Sequence, residues 1–333
     1  MTSKPLMPSP RTPRRPLFGA RAGLAWGALA AAAGTAIWVE FQARRAEREH
    51  PPAGSFICID GIRLHYLERG KGSPVVLLHG NTVSAADFQA SGLIERLAQT
   101  HRVIAFDRPG FGHSTRPRGR RWTPEAQAAL LSTALRGLGI EQAVVVGHSL
   151  GTLVALAMAL NHPGLVSGLV LLGGYYYPNP RIDVLLTVPV ALPGVGDLMR
   201  HTVGALAARL LIERSAAAMF SPNVVPPHFF NALSREMLLR PLQLRADAED
   251  AAFMIPAAAA NRAHYRKMRM PVTIVAGERD KIVDTDAHSR RLHDELGHSN
   301  LVIVPQAGHM VHYLSSEAVL AAVERSTTAA TAA

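Results

Sequence analysis

The chain has 333 residues, 48% of them hydrophobic, and a formal net charge of +10. This apolar content excludes disorder over most of the chain and is enough for a large core, so we expect one large domain that carries an insertion. Much of the basic excess lies before residue 50, beside an apolar segment, and no nucleic-acid motif accompanies it. We therefore expect no nucleic-acid partner.

The composition also limits metal and disulfide chemistry. Cys58 is the only cysteine, which excludes an intramolecular disulfide and a thiolate zinc site. The histidines include no HExxH pair, and His309 and His312 share a helical face without a carboxylate ligand at suitable spacing. We expect neither a metal nor another cofactor.

The N-terminal region divides into three parts. Residues 1–21 are basic, residues 22–39 are uncharged and rich in Ala and Gly, and residues 40–54 are interpreted as a charged linker. As a helix, the middle part spans about 27 Å, close to a bilayer core, and predicts a membrane-spanning signal anchor. The positive-inside rule then places the N-terminus in the cytoplasm and exports the main domain. A cleaved signal, giving a secreted or periplasmic protein, and a cytoplasmic location are the alternatives.

From residue 55 to residue 333, apolar runs alternate with helical patterns. The turn signal Asp60-Gly61 predicts a hairpin between strands at 56–59 and 62–67. Further strands are predicted at 74–78, 102–106, 143–146, 169–172, 272–276 and 301–304, and helices at 84–98, 124–137 and 150–160. This alternation predicts an α/β fold with a mostly parallel, doubly wound sheet and helices on both faces.

Residues 175–269 interrupt the alternation. They are rich in Ala, Leu, Met and Pro and show no clear strand. We expect a helical lid here, because such an insertion can exclude water and shape an apolar pocket above the strand ends.

A glycine-flanked serine follows the predicted strand 143–146 in the sequence GHSLG and opens an apolar helix. A chain that turns this sharply strains Ser149, and Gly147 and Gly151 lack the Cβ atoms that would collide across the turn. The pattern is typical of a nucleophile elbow.

A serine hydroxyl is a poor nucleophile at neutral pH and needs a histidine base and an orienting carboxylate. Asp280 follows one predicted strand in the loop GERD, and His309 follows the last strand in the loop QAGHM. Because the ends of parallel strands converge at one edge of a sheet, both are expected to meet Ser149. Asp284 and Asp286 are rival acids that lie further past the strand.

These motifs, with HGN at 79–81, DRPGFGHS at 107–114 and AGH at 307–309, resemble the α/β-hydrolase superfamily, specifically its lid-bearing serine hydrolases of esterase and lipase type. The resemblance implies Ser149 as nucleophile, His309 as general base and then acid, and Asp280 as the orienting acid. It also implies an oxyanion hole made of the backbone N–H groups of Asn81 and Leu150.

Two features narrow the implied class. The loop reads HGNT, unlike the HGGG form of some lipases and esterases, and does not support their particular substrates. Ser149 stands where haloalkane dehalogenases and epoxide hydrolases carry Asp, which argues against both activities.

Other conspicuous residues have structural interpretations. Asp107, Gly110 and Gly112 are expected to shape a loop, and His148 is expected to pack beside the elbow. The arginines within 116–121 are expected to lie on a solvated loop. The alternative is that they bind an anionic substrate.

The leading hypothesis is a serine hydrolase that cleaves a small apolar ester through an acyl-serine intermediate, with membrane association through the N-terminal helix. A carbon-carbon bond hydrolase and a cofactor-free haloperoxidase or perhydrolase use the same residues and stay open. A non-catalytic, membrane-tethered binding protein is the alternative from another class.

Overall fold

The computed structural model describes residues 17–180 and 182–331, so most of the basic segment 1–21 lies outside the described residues. Eight strands form one sheet. They are β1 (Ser55–Ile59), β2 (Ile62–Arg69), β3 (Ser73–Leu78), β4 (His101–Phe106), β5 (Ala143–His148), β6 (Val166–Leu172), β7 (Val272–Gly277) and β8 (Ser299–Val304). The strand order is β1-β2-β4-β3-β5-β6-β7-β8.

Strands β3 to β8 pair in parallel, whereas β1 with β2 and β2 with β4 pair antiparallel. Asp60 and Gly61 both adopt positive φ, 50° and 74°, as a two-residue hairpin turn requires. The mostly parallel sheet and its N-terminal hairpin are therefore confirmed.

Helices cover the sheet and form the insertion. They are α1 (Leu17–Glu49), α2 (Ala86–Ala90), α3 (Leu93–Leu97), α4 (Pro124–Gly137), α5 (Gly151–Asn161), α6 (Ile182–Ala191), α7 (Val195–His201), α8 (Val203–Phe220), α9 (Phe229–Ala232), α10 (Arg235–Leu238), α11 (Pro241–Asn261), α12 (Arg291–Glu295), α13 (Val311–Leu314) and α14 (Ser316–Thr331). A 3₁₀ segment covers Arg262–Lys267 and a π-helical turn covers Asp286–Arg290.

Two apolar layers lie on opposite faces of the sheet. Val145 packs with α4 and α5 on one face, while Val144 and Val146 pack on the other face with α2, α3 and α14. Successive strand side chains point to opposite faces, so a fully apolar strand supplies both layers. The layers fix the strand ends from which the loops of the site emerge.

One predicted helix is divided. Residues 84–98 form α2 and α3 instead of a single helix, because Gly92 between them adopts the left-handed φ of 73°.

The predicted linker 40–54 is helical as far as Glu49, which corrects its interpretation as a charged linker beginning at residue 40. Two ion pairs stabilise this extension, and in each pair the partners lie one helical turn apart. Arg44 pairs with Glu40 at 2.8 Å, and Arg45 pairs with Glu49 at 2.7 Å. Within α1, residues Ala22–Glu49 are long and apolar enough to cross a membrane, a property that a signal sequence near the N-terminus shares. Only 6% of the apolar window is buried.

Helices α6 to α11 lie between β6 and β7, and the described part of this insertion contains no strand. The C-terminal part of α1 contacts it. Arg240 pairs with Glu47 at 2.6 Å, and the guanidinium of Arg209 lies 4.9 Å from the ring centroid of Trp38. Val39 and Ala46 are buried, so the C-terminal part of α1 packs against the insertion.

Candidate active site

Ser149 occupies a strained corner between β5 and α5. Its φ is 51°, in the left-handed region, and its N–H donates to the carbonyl of Leu172 at 2.9 Å. A Cβ on Gly151 would lie 2.2 Å from the carbonyl oxygen of Leu78, and one on Gly147 would lie 2.7 Å from that of Gly151. Both glycines are therefore required for this turn, as the sequence predicts.

Asp280 and His309 are in direct contact. Nδ1 of His309 lies 2.7 Å from Oδ2 of Asp280, and both side chains are buried. The other carboxylate oxygen accepts N–H groups of Ile282 at 2.8 Å and Val283 at 2.9 Å. These bonds hold the carboxylate in the orientation that an imidazole N–H needs.

The rival acids lie elsewhere. Asp284 caps its own turn by accepting the N–H of Ala287 at 2.7 Å, and Asp286 pairs with Arg290 at the surface. The choice of Asp280 over these two carboxylates agrees with the geometry.

Gly173, which follows β6, was not singled out from the sequence. A Cβ at this position would lie 3.3 Å from Nδ1 of His309 and 3.5 Å from Oδ2 of Asp280, and its φ is 50°. A glycine at the end of a buried strand was the available signal, because a side chain here would crowd the histidine and the carboxylate.

His148 links the elbow to the loop of His309. The two rings have centroids 5.0 Å apart, and Nε2 of His148 donates to the carbonyl of His309 at 3.2 Å. Burial, reinforced by the nearby His312, lowers the pKa of His148 well below its ordinary value. His148 is therefore neutral and packs beside the elbow as expected.

Asp87, His148 and His312 bring their ligand atoms within 4.8 Å of one another and are the described residues that could hold a metal ion. Asp87 accepts from Nε2 of His312 at 3.0 Å and from the hydroxyl of Tyr313 at 2.8 Å. No carboxylate lies at ligand spacing from His312 in the sequence, and the fold brings Asp87 to it from 225 positions away.

The two predicted oxyanion-hole residues come from different segments of the chain. Asn81 follows β3, and the loop backbone is so close that a Cβ on Gly80 would lie 3.1 Å from Cβ of Ser149. Leu150 immediately precedes α5, where the first backbone N–H groups of a helix have no intrahelical acceptor. The side-chain amide of Asn81 points to the insertion and donates to the carbonyl of Asp247 at 2.9 Å.

The buried Arg108 forms hydrogen bonds to the loop that contains Asn81. Nε of Arg108 donates to the carbonyl of His79 at 2.9 Å, and its guanidinium donates to the carbonyl of Gly80 at 3.0 Å. Burial and the charge of Arg108 lower the pKa of His79 to about 3, so the imidazole is neutral. The neutral ring accepts the backbone N–H of Arg108 at Nε2, 3.0 Å away, and donates from Nδ1 to Gly80 at 2.7 Å.

The charge of Arg108 is balanced from the insertion. Asp250 in α11 pairs with Arg108 and, at 2.8 Å, with Arg116, and all three side chains are fully buried. Arg116 also pairs with Glu249 at 2.7 Å. The interpretation of 116–121 as a solvated loop is therefore wrong for Arg116, whose partners come from the insertion.

Two more residues of α11 form hydrogen bonds to Thr82, the residue after Asn81. Oδ1 of Asp247 accepts the N–H of Thr82 at 2.6 Å, and Nε2 of Gln243 donates to the carbonyl of Thr82 at 3.0 Å. Burial raises the pKa of Asp247 to about 7. Sequence reasoning missed these contacts, although polar residues at 243, 247 and 250 share one helical face.

The loop that begins at Asp107 is organised by that carboxylate. Asp107 contacts Nδ1 of His65 at 2.7 Å and accepts the N–H groups of Ala85 and His113, each at 2.9 Å. A Cβ on Gly112 would lie 2.0 Å from the same carboxylate. The loop-shaping roles predicted for Asp107 and Gly112 agree with this geometry.

The chain is similar to known proteins in sequence and in fold. The family model described as alpha/beta hydrolase fold matches residues 73–316. A 2-hydroxymuconate semialdehyde hydrolase of Pseudomonas putida is 27% identical over 279 residues, covering 84% of this chain and 95% of the relative. A thermophilic esterase from Thermogutta terrifontis has a TM-score of 0.67 at 22% identity, covering 83% of this chain and 99% of its own. A bacterial membrane phospholipase A has a TM-score of 0.63 at 20% identity, covering 95% and 99%.

Proposed function

Because the chain belongs to the α/β-hydrolase family, we propose that it is a serine hydrolase that cleaves an apolar carboxylic ester through an acyl-serine intermediate. The observations that support the proposal are the 2.7 Å contact between His309 and Asp280 and the left-handed corner at which Ser149 is held. Strain of this kind at a strand-to-helix corner is typical of a reactive residue that the surrounding fold keeps in place.

In the first half-reaction, His309 removes the proton of Ser149 Oγ as this oxygen bonds to the ester carbonyl carbon. Asp280 accepts the Nδ1–H and stabilises the imidazolium. The alcohol leaves with the proton from His309. Water then adds to the acyl carbon, gives a proton to His309, and releases the carboxylic acid as Ser149 recovers its proton.

The carbonyl oxygen becomes negative in each tetrahedral intermediate. In this proposal the backbone N–H groups of Asn81 and Leu150 donate to it, an effect of about 2.7–4 kcal/mol per donor. The bonds from Arg108, Gln243 and Asp247 hold the Asn81 loop before substrate binds, so little reorganisation is needed at the moment of reaction.

The insertion is proposed as the lid of this site, and α1 as its membrane anchor. Both assignments favour an ester from a lipid-rich surface, because the helix that attaches the enzyme also packs on the helices that cover the loop of Asn81. The likeness to the membrane phospholipase A supports this assignment, since a match over 95% of the chain must extend beyond the catalytic domain into α1.

The orientation of the anchor has its own test. If α1 spans the membrane with its N-terminus in the cytoplasm, protease added to cells with a permeabilised outer membrane degrades the catalytic domain. Protection until the cells are lysed would contradict the exported orientation.

A carbon-carbon bond hydrolase is the second candidate, favoured by the relative that acts on 2-hydroxymuconate semialdehyde. The same serine, histidine and aspartate serve either bond, so the residues themselves do not distinguish the reactions.

A substrate panel tests the choice. The full chain in neutral detergent is assayed with p-nitrophenyl esters of increasing acyl length, a vinylogous 1,5-diketone and a peracid-forming reaction, with Ser149→Ala as the matched control. We expect the largest kcat/KM for an ester and loss of that activity in the variant. A larger kcat/KM for the diketone would replace the ester proposal with the carbon-carbon one.

A further inference from the structure

An arginine-lined hollow lies beside the insertion, outside the proposed reaction site. Its volume is about 460 Å³. The walls come from the loop 117–121, the connection from α6 to α7, and residues of α7 and α11. Five arginines contribute to these walls, with Glu249 as the acidic lining residue: Arg118, Arg120, Arg121, Arg200 and Arg245.

The carboxylates near the hollow are already shared. Asp197 binds Arg118 at 2.9 Å and also pairs with Arg200, while Glu249 binds the fully buried Arg116 at 2.7 Å. Positive charge therefore exceeds negative charge in and around the hollow, and an added anion would offset it.

Two of the arginines are buried as well as crowded. Arg200 is 3% exposed, and burial together with the charges of Arg118 and Arg245 lowers its pKa to about 10. Arg245 is 7% exposed, and its Nε makes no hydrogen bond to any residue within 17–180 and 182–331. The nearest acidic partner of that nitrogen is Glu249, at 3.6 Å, which is too long for a hydrogen bond.

Exposed apolar side chains continue from the rim of the hollow. Leu192 lines the hollow and is 48% exposed, and Leu198 on α7 is 64% exposed. On α8, Val203, Leu206 and Leu210 are exposed at helical spacing and form one stripe. Exposed apolar side chains concentrated on neighbouring helices are typical of an interaction surface on a folded protein.

The same region adjoins the proposed membrane anchor. Ala205 and Arg209 of α8 line a crevice together with Trp38 and Val39 of α1, so α8, which carries the stripe on another of its faces, packs beside that helix. Trp38 and Phe41 of α1 are themselves exposed. Arginines beside an apolar stripe have the composition of a surface that lies in the headgroup region of a bilayer.

We propose that the hollow binds the phosphate of an anionic phospholipid headgroup while Leu192, Leu198 and the stripe on α8 contact the acyl chains, so that the insertion rests on the membrane. The guanidinium fork matches phosphate oxygens with paired hydrogen bonds. The lipid source of the phosphate rests on the proposed membrane attachment of α1.

Binding is tested with the full chain carrying Ser149→Ala in neutral detergent, so that the probes are not hydrolysed. Monomeric dihexanoyl phosphatidylglycerol, dihexanoyl phosphatidylcholine and inorganic phosphate are titrated separately by calorimetry. The hollow variant adds R118Q, R120Q and R121Q, all at exposed positions. The matched control adds R69Q, R262Q and R269Q, which remove the same charge from exposed positions elsewhere.

We expect saturable binding of the phosphatidylglycerol, weakened about tenfold or more in the hollow variant and unchanged in the control. Phosphatidylcholine and inorganic phosphate are each expected to bind at least about tenfold more weakly. Replacing Leu192 and Leu198 by Ser is expected to weaken the phosphatidylglycerol and leave inorganic phosphate unchanged.

Equal binding of the two lipids, or equal loss in the hollow variant and its control, overturns the proposal. Inorganic phosphate binding as tightly as the phosphatidylglycerol overturns the lipid source. Ester turnover does not enter this readout, so failure here leaves the proposed hydrolase activity standing, and failure of that activity leaves the binding result interpretable.

Discussion

The sheet and the helical insertion place their polar groups in opposite ways. In the sheet, alternate residues such as Val144 and Val145 build two dry layers, and polar residues are concentrated in loops at the strand ends. In the insertion, α11 buries Gln243, Arg245 and Asp250 in its interior face. The proposed reactive residues therefore come from the strand ends of the sheet, while the insertion supplies hydrogen bonds and ion pairs that hold the loops beside them.

The largest effect is expected at the end of β7. Asp280→Asn leaves the shape of the site nearly unchanged but no longer fixes the reactive tautomer of His309, so kcat should fall by about 10⁴-fold. Steady-state assays on the best ester of the panel measure this. Asp284→Asn and Asp286→Asn are the matched controls and should keep wild-type kcat, and an equal loss in either one would contradict the assignment.

The next largest effect tests the insertion. Asp250→Asn leaves the guanidinium groups of Arg108 and Arg116 buried without their shared charge partner, which should cost about 3–5 kcal/mol of stability. Unfolding in denaturant measures the loss. Asp286→Asn, which breaks an exposed pair with Arg290, should change stability little. Similar losses of stability in the two variants would contradict the expectation that the buried ion pairs contribute more than the exposed one.

A smaller, pH-dependent effect is expected at Asp247, whose pKa is raised to about 7 from an ordinary 3.8. The unfolded chain ionises first as pH rises, so the stability contributed by the protonated carboxyl is complete below pH 3.8 and is lost as pH rises through 7. Asp247→Asn keeps an acceptor for the N–H of Thr82 and removes the titration.

The thermal midpoint of this variant relative to wild type should therefore rise between pH 4.5 and 7 and level off above pH 7. Each kcal/mol corresponds to about 2–4 °C. The same difference at every pH in this range would show that Asp247 does not titrate there.

The smallest effect is expected for Asn81→Ala. Its backbone N–H stays in place, and the variant loses the side-chain bonds to Asp247 and Arg108, each of which contributes about 0.5–1.5 kcal/mol. The kcat should stay within about tenfold of wild type, whereas loss of an oxyanion donor costs about 10²–10³. A fall into that larger range would mean that the side chain, and not the backbone, carries the role.

The sheet could be predicted from local patterns because each strand carries its own evidence. Ala143 to Val146 reads as a buried strand, and Gly147 and Gly151 mark the turn that Ser149 requires. Asp280 and His309 could be placed because parallel strands deliver their ends to one edge.

The contacts of the insertion could not be predicted in this way. Arg108 and Asp250 lie 142 positions apart, and nothing in either local sequence specifies the other as partner. The same holds for Asp87 and His312, which the sequence left without a carboxylate. Charged residues are typical both of a linker and of an exposed helix with ion pairs between successive turns. The charges at 40–49 therefore did not distinguish a linker from the helical continuation of α1 to Glu49.

Covalent labelling tests whether Ser149 is the nucleophile. The full chain in neutral detergent is treated with a fluorophosphonate, and the modified peptide is identified by mass spectrometry in wild type, Ser149→Ala and Asp280→Asn. We expect a stoichiometric adduct on Ser149 in wild type, none in Ser149→Ala, and much slower labelling in Asp280→Asn. Equal labelling of wild type and Ser149→Ala, or an adduct on another residue, would contradict this expectation.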